Sequence, residues 1–280
     1  MEDLASRLQR EQDEVWNGTM GATWVQTQHF TDSMLRPFEE ILLRHVAAAA
    51  PRSVLDLGCG NGTTTLAFAD AVHGSATVGI DLSEVMIENA RRRAAAAGST
   101  ARFVSGDAAT TDLGQRFDLL VSRFGVMFFS EPDMAFANLR SHAADGGSVA
   151  FLVWQGPAAN PFLTAGQRAA APWLPERPAR NPHWPGPFSL ADPDHTARLL
   201  TGAGFGDVGF ESVQEEATFP AGDLDMFRTR LAPLGFDLTT LAPPVAAAVD
   251  DAVAEAYQAY VDGEVVRYDG ACWLVTAAAI

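Results

Sequence analysis

The stretch Val-Leu-Asp-Leu-Gly-Cys-Gly-Asn-Gly at residues 54–62 constrains this chain more than any other. Apolar residues of strand character run into a turn bearing Gly58, Gly60 and Gly62, and a helical pattern begins directly after it. Glycine tolerates positive φ and lets the backbone come close to a ligand, so such a turn suits the rim of a binding site. The alternation then recurs. Strands are expected at 54–57, 76–80, 101–104, 117–121 and 148–154, with helices at 61–73, 83–97 and 131–144 and a short loop or helix after the third strand. Five apolar strands joined by crossovers imply a doubly wound α/β fold with a parallel sheet.

The turn reads G-x-G-x-G, whereas a dinucleotide fingerprint reads G-x-G-x-x-G/A and would place its last small residue where Thr63 stands. The difference concerns what must fit above the helix N-terminus, a pyrophosphate in one case and an amino-acid carboxylate in the other. Three aspartates fall on successive strands at their C-terminal ends, the edge where open α/β sheets bind ligands. Asp56 precedes the glycines, near where a ligand ammonium could lie. Asp81 follows them by about 20 residues, where a carboxylate accepts from both ribose hydroxyls; its rival reading is a plain loop cap. Asp107 could accept an adenine amino group while the Ala108 amide faces a ring nitrogen, or it could cap the following helix.

Composition removes whole chemistries. The chain has no lysine, so all 19 basic side chains are arginine, which excludes Schiff-base, pyridoxal-phosphate and P-loop mechanisms. A formal net charge of -16 over 280 residues argues against a groove for nucleic acid. Cys59 and Cys272 lack CxxC or Cys/His ligand spacing, so neither a disulfide framework nor a metal site is expected. No apolar run reaches the roughly 20 residues of a membrane span. The charged opening MEDLASRLQREQDE does not read as a secretory signal, which gives a cytoplasmic expectation.

In order and spacing, VLDLGCGNG, GID, GDA, FDLLVSRFGVMFF and DGGSVAFLVW resemble the motifs of class I S-adenosylmethionine (SAM)-dependent methyltransferases, most like the ubiquinone/menaquinone-biosynthesis type. The resemblance is strong over about residues 50–155. Weaker likeness extends to Trp16-Asn-Gly, Gly21-Ala-Thr-Trp24, Gln28, the 186–193 turn and Trp273-Leu-Val-Thr276. It implies a Rossmann-like sheet of seven strands in the order 3-2-1-4-5-7-6, the last antiparallel, with residues 272–277 as that strand. It also implies SAM as cofactor and methyl transfer to a small molecule. Position by position, Asp56, Gly58, Cys59, Gly60 and Gly62 would frame the methionine end, Asp81 and Leu82 the ribose, and Asp107 and Ala108 the adenine. Ser122 and Arg123 would lie beneath the methyl. Nitrogen and nucleic-acid methylases of this fold often carry Asn/Asp-Pro-Pro-aromatic there; Ser-Arg-Phe-Gly stands in its place, which favours O- or C-methylation over N.

The rest organises around that core as one domain. Residues 1–50 form a helical cover, broken near Asn17-Gly18, with a second helix opening near Asp32 or Ser33. Residues 51–155 are the cofactor core, and 156–188 form a Pro/Trp-rich loop or lid including Pro178, His183 and Trp184. Residues 189–280 complete the sheet, with a helix opening at Asp192-Pro193, a strand at 207–219 and a helical insertion at about 221–263. Trp24, Phe124, Met127, Phe128, Phe129 and Trp154 could rim the acceptor and sulfonium, although about half of them are expected to be packing. Among six histidines, His29 and His183 are the candidates for a general base, with surface or core roles as the alternative. Two other functions stay open: a nicotinamide-dependent oxidoreductase on the same sheet, and a SAM-binding regulator or cyclase that does not methylate. A homodimer is also left open.

Overall fold

A computed structural model describes residues 3–175, 180–232 and 238–280. Pro178 of the expected loop and residues 233–237 of the expected insertion lie outside them. Three helices open the chain: α1 (Leu4–Asn17), α2 (Thr19–Gln26) and α3 (Gln28–Ala49). Gly18 separates the first two because a Cβ there would sit 2.3 Å from the Glu14 carbonyl oxygen. The third helix begins earlier than expected. Thr27 ends α2 and α3 follows at once, while Asp32 turns to Thr63 and Arg93 instead of capping a helix. Thr31, Met34, Leu35, Phe38, Ile41, Leu42 and Val46 make its buried stripe, spaced to return to one face of the helix.

The core then alternates as β1 (Ser53–Leu57), α4 (Thr63–Ala71), β2 (Ala76–Asp81), α5 (Glu84–Ala97), β3 (Arg102–Ser105), β4 (Phe117–Arg123), α6 (Pro132–His142) and β5 (Ala143–Trp154). After it come α7 (Ala165–Ala170), α8 (Pro193–Gly202) and β6 (Phe205–Pro220). The chain closes with α9 (Leu224–Met226), α10 (Pro243–Gln258), β7 (Val261–Asp262) and β8 (Val265–Ala279). The sheet order is β3-β2-β1-β4-β5-β8-β6, with β7 pairing on β8. β1 to β5 pair in parallel and β8 runs antiparallel to both β5 and β6, so the expected seven-strand order holds with one small hairpin strand added. Val149 to Trp154 are all buried, as a central strand covered on both faces requires.

Two expectations change. The segment after Trp154 is not structureless, since α7 and a 3-10 turn at Ala171–Trp173 lie within it. β8 starts at Val265, well before residue 272. Trp154 pairs with Cys272, so the first part of β8 and the last part of β6 continue past the end of β5 as a two-stranded ribbon. Val266, Tyr268 and Gly270 face inward there while Arg267 and Asp269 are exposed, a period-two alternation interrupted in composition by one glycine. That glycine is required, because a Cβ at 270 would stand 2.5 Å from the Phe38 ring. Beneath the ribbon, Phe162 is ringed by Phe219, Phe227, Tyr257, Tyr260 and Tyr268. No helix among the described residues is long and apolar enough to cross a membrane.

Candidate active site

Because β3, β2 and β1 are neighbours in register, Asp107, Asp81 and Asp56 come from three adjacent strands or the loop leaving them. The three glycines between them have three different reasons. Gly58 (φ +64°) meets the Gly125 backbone, where an added Cβ would come within 2.7 Å of the Gly125 Cα. At Gly62 (φ +78°) an added Cβ would come within 2.7–2.9 Å of the Phe103 ring and the Ala90 Cβ. Gly60 (φ +52°) alone of the three has open space, since an added Cβ there would meet nothing nearer than the Met86 Sδ at 3.7 Å. Only at Gly60 does the missing side chain leave room for a ligand; the other two seat the turn on the fold.

Asp81 holds this turn. Its Oδ2 accepts from the Gly60 amide and its Oδ1 from the Ser83 amide, each at 2.8 Å. The loop-cap reading is therefore realised, and each oxygen keeps a second lone pair for a hydroxyl. Burial raises its pKa despite the two backbone donors. Asp56 is 1 % exposed. Its Oδ2 accepts from the Thr64 and Thr65 hydroxyls at 2.6 Å, while its Oδ1 has no partner. Burial pushes this carboxyl up to about 6, against the two threonine hydroxyls and Arg123, which lower it. Cys59 is buried beside both aspartates and its thiol is pushed well up by desolvation, which leaves it inert as a nucleophile.

Asp107 caps Ala109 through Oδ1 (2.8 Å) and accepts the Gln9 side-chain amide on Oδ2 (2.9 Å). The Ala108 carbonyl takes Asn138 Nδ2, and the Leu82 carbonyl takes Asn17 Nδ2. Ser122 is fully buried; its hydroxyl donates to the Leu57 carbonyl and accepts the Gly125 and Val126 amides, so its side chain ties β4 to β1. Arg123 pairs with Glu39 of α3 at 3.2 Å, with side chains only 12 % and 16 % exposed. Burial raises the Glu39 pKa, opposed by that guanidinium.

The expected apolar rim divides. Phe124, at φ +65°, stacks on Trp154 with ring centroids 4.0 Å apart, and both pack edge-on against Phe38. Met127 is buried, its Sδ against the Trp154 amide. These three form a core wall. Trp24 and Phe128 are half-buried and gather around Trp16, at 6.3 and 5.1 Å, while Phe129 lies edge-on to Phe136. The histidines sit apart from these contacts. His29 is exposed in the first turn of α3, and His183 stacks on His195 at 3.8 Å with its Nδ1 toward the Ser189 carbonyl.

Several groups here carried no sequence signal. Gln9, Ser130, Glu39 and the Asp32–Arg93 pair reach the site across 61 or more residues of chain. Thr64 and Thr65 are different: two hydroxyls in the first turn after the glycines, eight and nine residues past Asp56, were readable as its partners. Thr63 is committed to Asp32 at 2.6 Å and to Arg93 at 2.8 Å, so the position where a dinucleotide fold keeps a small residue is filled by a polar knot.

Residues 54–147 match the family described as methyltransferase domain. The chain is 33% identical to a trans-aconitate 2-methyltransferase of Acidovorax ebreus over 123 residues, 44% of this chain and 46% of that protein. It is 26% identical to a demethylmenaquinone methyltransferase of Renibacterium salmoninarum over 193 residues, 64% of this chain and 76% of that one. The chain thus spans about half the length of the first of these relatives. A Bacillus halodurans structure described as a methyltransferase superposes with a TM-score of 0.55 at 20% identity, covering 85% of this chain and 97% of the other, a likeness of fold.

Proposed function

We propose that this chain, which carries a methyltransferase domain over residues 54–147, binds SAM along its carboxylate rim and transfers the methyl to a small-molecule acceptor. The observation that carries this reading is the row of Asp107 in the loop leaving β3, Asp81 at the end of β2 and Asp56 on β1, with one buried carboxylate oxygen of Asp56 unpartnered and Gly60 open beside it. A buried acceptor without a donor costs about 1–3 kcal/mol, and more when charged. An amino-acid ammonium is the donor this position suits, and it would draw the raised Asp56 carboxyl back to its anion. Asp81 would keep the Gly60 and Ser83 amides and accept ribose hydroxyls on its remaining lone pairs. Asp107 would take the adenine amino group.

When bound, SAM supplies a methyl already activated by its sulfonium. What remains for the protein is to orient the acceptor and exclude water. Phe124, Trp154 and Phe38 form an apolar wall next to Arg123, and Glu39 neutralises that arginine. With a net charge of -16 and both Arg123 and Arg93 already paired with carboxylates, this edge favours an apolar, planar acceptor methylated at oxygen or carbon over a polycarboxylate. His183, turned to His195 and Ser189, supports no base role, so the acceptor would lose its proton to solvent or bind already ionised.

The test is titration calorimetry with SAM and S-adenosylhomocysteine. Wild type is expected to bind both and to ignore NAD, with at least tenfold weaker binding in Asp81→Ala, the loss of hydrogen bonds to a charged group. Binding of NAD without SAM would refute the assignment. Label from methyl-tritiated SAM appearing in a co-purified small molecule would separate transfer from mere binding.

A further inference from the structure

Helix α1 lies across the carboxyl edge, but it is held there in an unusual way. Its only buried residue is Leu8. Leu4 and Val15 are exposed, and Arg7–Glu11 and Arg10–Glu14 are ion pairs along its own surface. A 14-residue helix is marginal by itself and ordinarily depends on a buried apolar face. Apart from the Trp16 ring at its carboxyl end, which meets Trp24 and Phe128, the ties are polar, and they land on the loops that follow β2, β3 and β4. At its carboxyl end the Trp16 carbonyl accepts the Ser83 hydroxyl at 2.6 Å, and Asn17 donates to the Leu82 carbonyl while accepting the Glu84 amide. In its amino half, Gln9 alone spans two loops: its amide nitrogen donates to Asp107 Oδ2 at 2.9 Å and its carbonyl oxygen accepts from Ser130.

The Gln9 contact has the chemistry of a ligand contact. A primary amide N–H on a carboxylate oxygen presents the same donor as the exocyclic amine of adenine, and it stands on Oδ2, the Asp107 oxygen that the Ala109 amide leaves free for that amine. We propose that α1 is a displaceable latch, in which Gln9 occupies the adenine-reading oxygen of Asp107 and is released when an adenosyl group takes its place. The pivot is the carboxyl end. Gly18 and Gly21 admit no side chain there, with added Cβ atoms 2.3 Å from the Glu14 carbonyl and 2.0 Å from the Trp16 carbonyl, and the Ser83 and Asn17 ties persist. Closure lowers the apparent cofactor affinity by the fraction of molecules whose Asp107 is free.

This inference rests on the SAM reading, and the experiment separates the two. Hydrogen exchange by mass spectrometry on the full chain, with and without S-adenosylhomocysteine, is expected to show faster exchange in residues 5–12 and slower exchange around 81–87 on binding. Gln9→Ala is expected to bind S-adenosylhomocysteine roughly three- to tenfold tighter, with faster association, because the self-contact is gone. Gln9→Glu, whose carboxylate would be repelled by Asp107, serves as an independent variant with the same direction. Slower exchange throughout α1 on binding, or equal or weaker binding in both variants, overturns the latch and makes α1 a passive cover. Absence of binding in wild type overturns the SAM reading itself; binding that is lost in Asp81→Ala yet unmoved by Gln9 substitution overturns the latch alone.

Discussion

Two buried regions of this molecule solve opposite problems. Along the rim of β1, β2 and β3, two carboxylates are buried and a third is half-buried, and nearly every oxygen has a donor: Asp81 and Asp107 are bonded on both oxygens, and Asp56 on one. Beneath the β6–β8 ribbon, rings crowd around Phe162, and Tyr268 stacks on it at 4.0 Å with a hydroxyl that has no partner. In the first region the cost of burying charge is met by backbone amides and hydroxyls whose positions are fixed by the turn. The second gains from apolar area and ring contacts, and tolerates one lost hydrogen bond. The rim is organised by polar contacts and the ring cluster by apolar ones.

Phe162→Ala is the strongest way to break that contrast. Removing a fully buried ring should cost about 3–5 kcal/mol of unfolding free energy by urea titration, while S-adenosylhomocysteine affinity changes less than twofold. A parallel collapse of binding would show that the two regions are one cooperative unit.

Titration of Asp56 sharpens the other side. Its folded-state carboxyl sits at about 6 against a model-compound value of 3.8, so the fold favours the protonated form. That contribution is complete below about pH 4 and is lost as the pH rises through 6, on the order of 3 kcal/mol at 1.36 kcal/mol per unit. The stability of ligand-free wild type should therefore fall between these pH values by a component missing in Asp56→Asn. If the two proteins show the same pH dependence, the unpartnered oxygen is not a source of strain.

Tyr268→Phe is the smallest effect and has the opposite sign. Deleting a buried hydroxyl without a partner should raise stability by about 1 kcal/mol, read as a higher urea midpoint at unchanged slope. A loss of stability would mean that the hydroxyl is satisfied in solution, and the ring cluster would then be less apolar than its geometry implies.

What could be read before folding was whatever is encoded over short distances. The Val54 to Gly62 stretch contains its own strand, turn and helix start, and Asp81 and Asp107 follow at separations set by one strand-helix repeat, so the line of acids was legible, while the strand order came only with the family resemblance. The aromatic residues were harder. Phe124 and Phe128 are four apart on the same segment, yet one is locked against Trp154 and Phe38 and the other sits under Trp16; nothing in their spacing distinguishes them.

By itself, the sequence determined the parallel core, the glycine turn and the line of acids, because strand period, turn chemistry and helix starts are local properties of neighbouring residues. Tertiary structure alone decided that Gln9 stands on Asp107, that Glu39 neutralises Arg123, and that a ribbon from the far end of the chain lies over Phe38. Those contacts join residues 98, 84 and more than 200 positions apart, and no periodicity reaches that far. They exist because helices and strands, once formed, have only a few ways to bury their apolar faces together, and polar side chains at the meeting edges then take whatever partners that packing supplies.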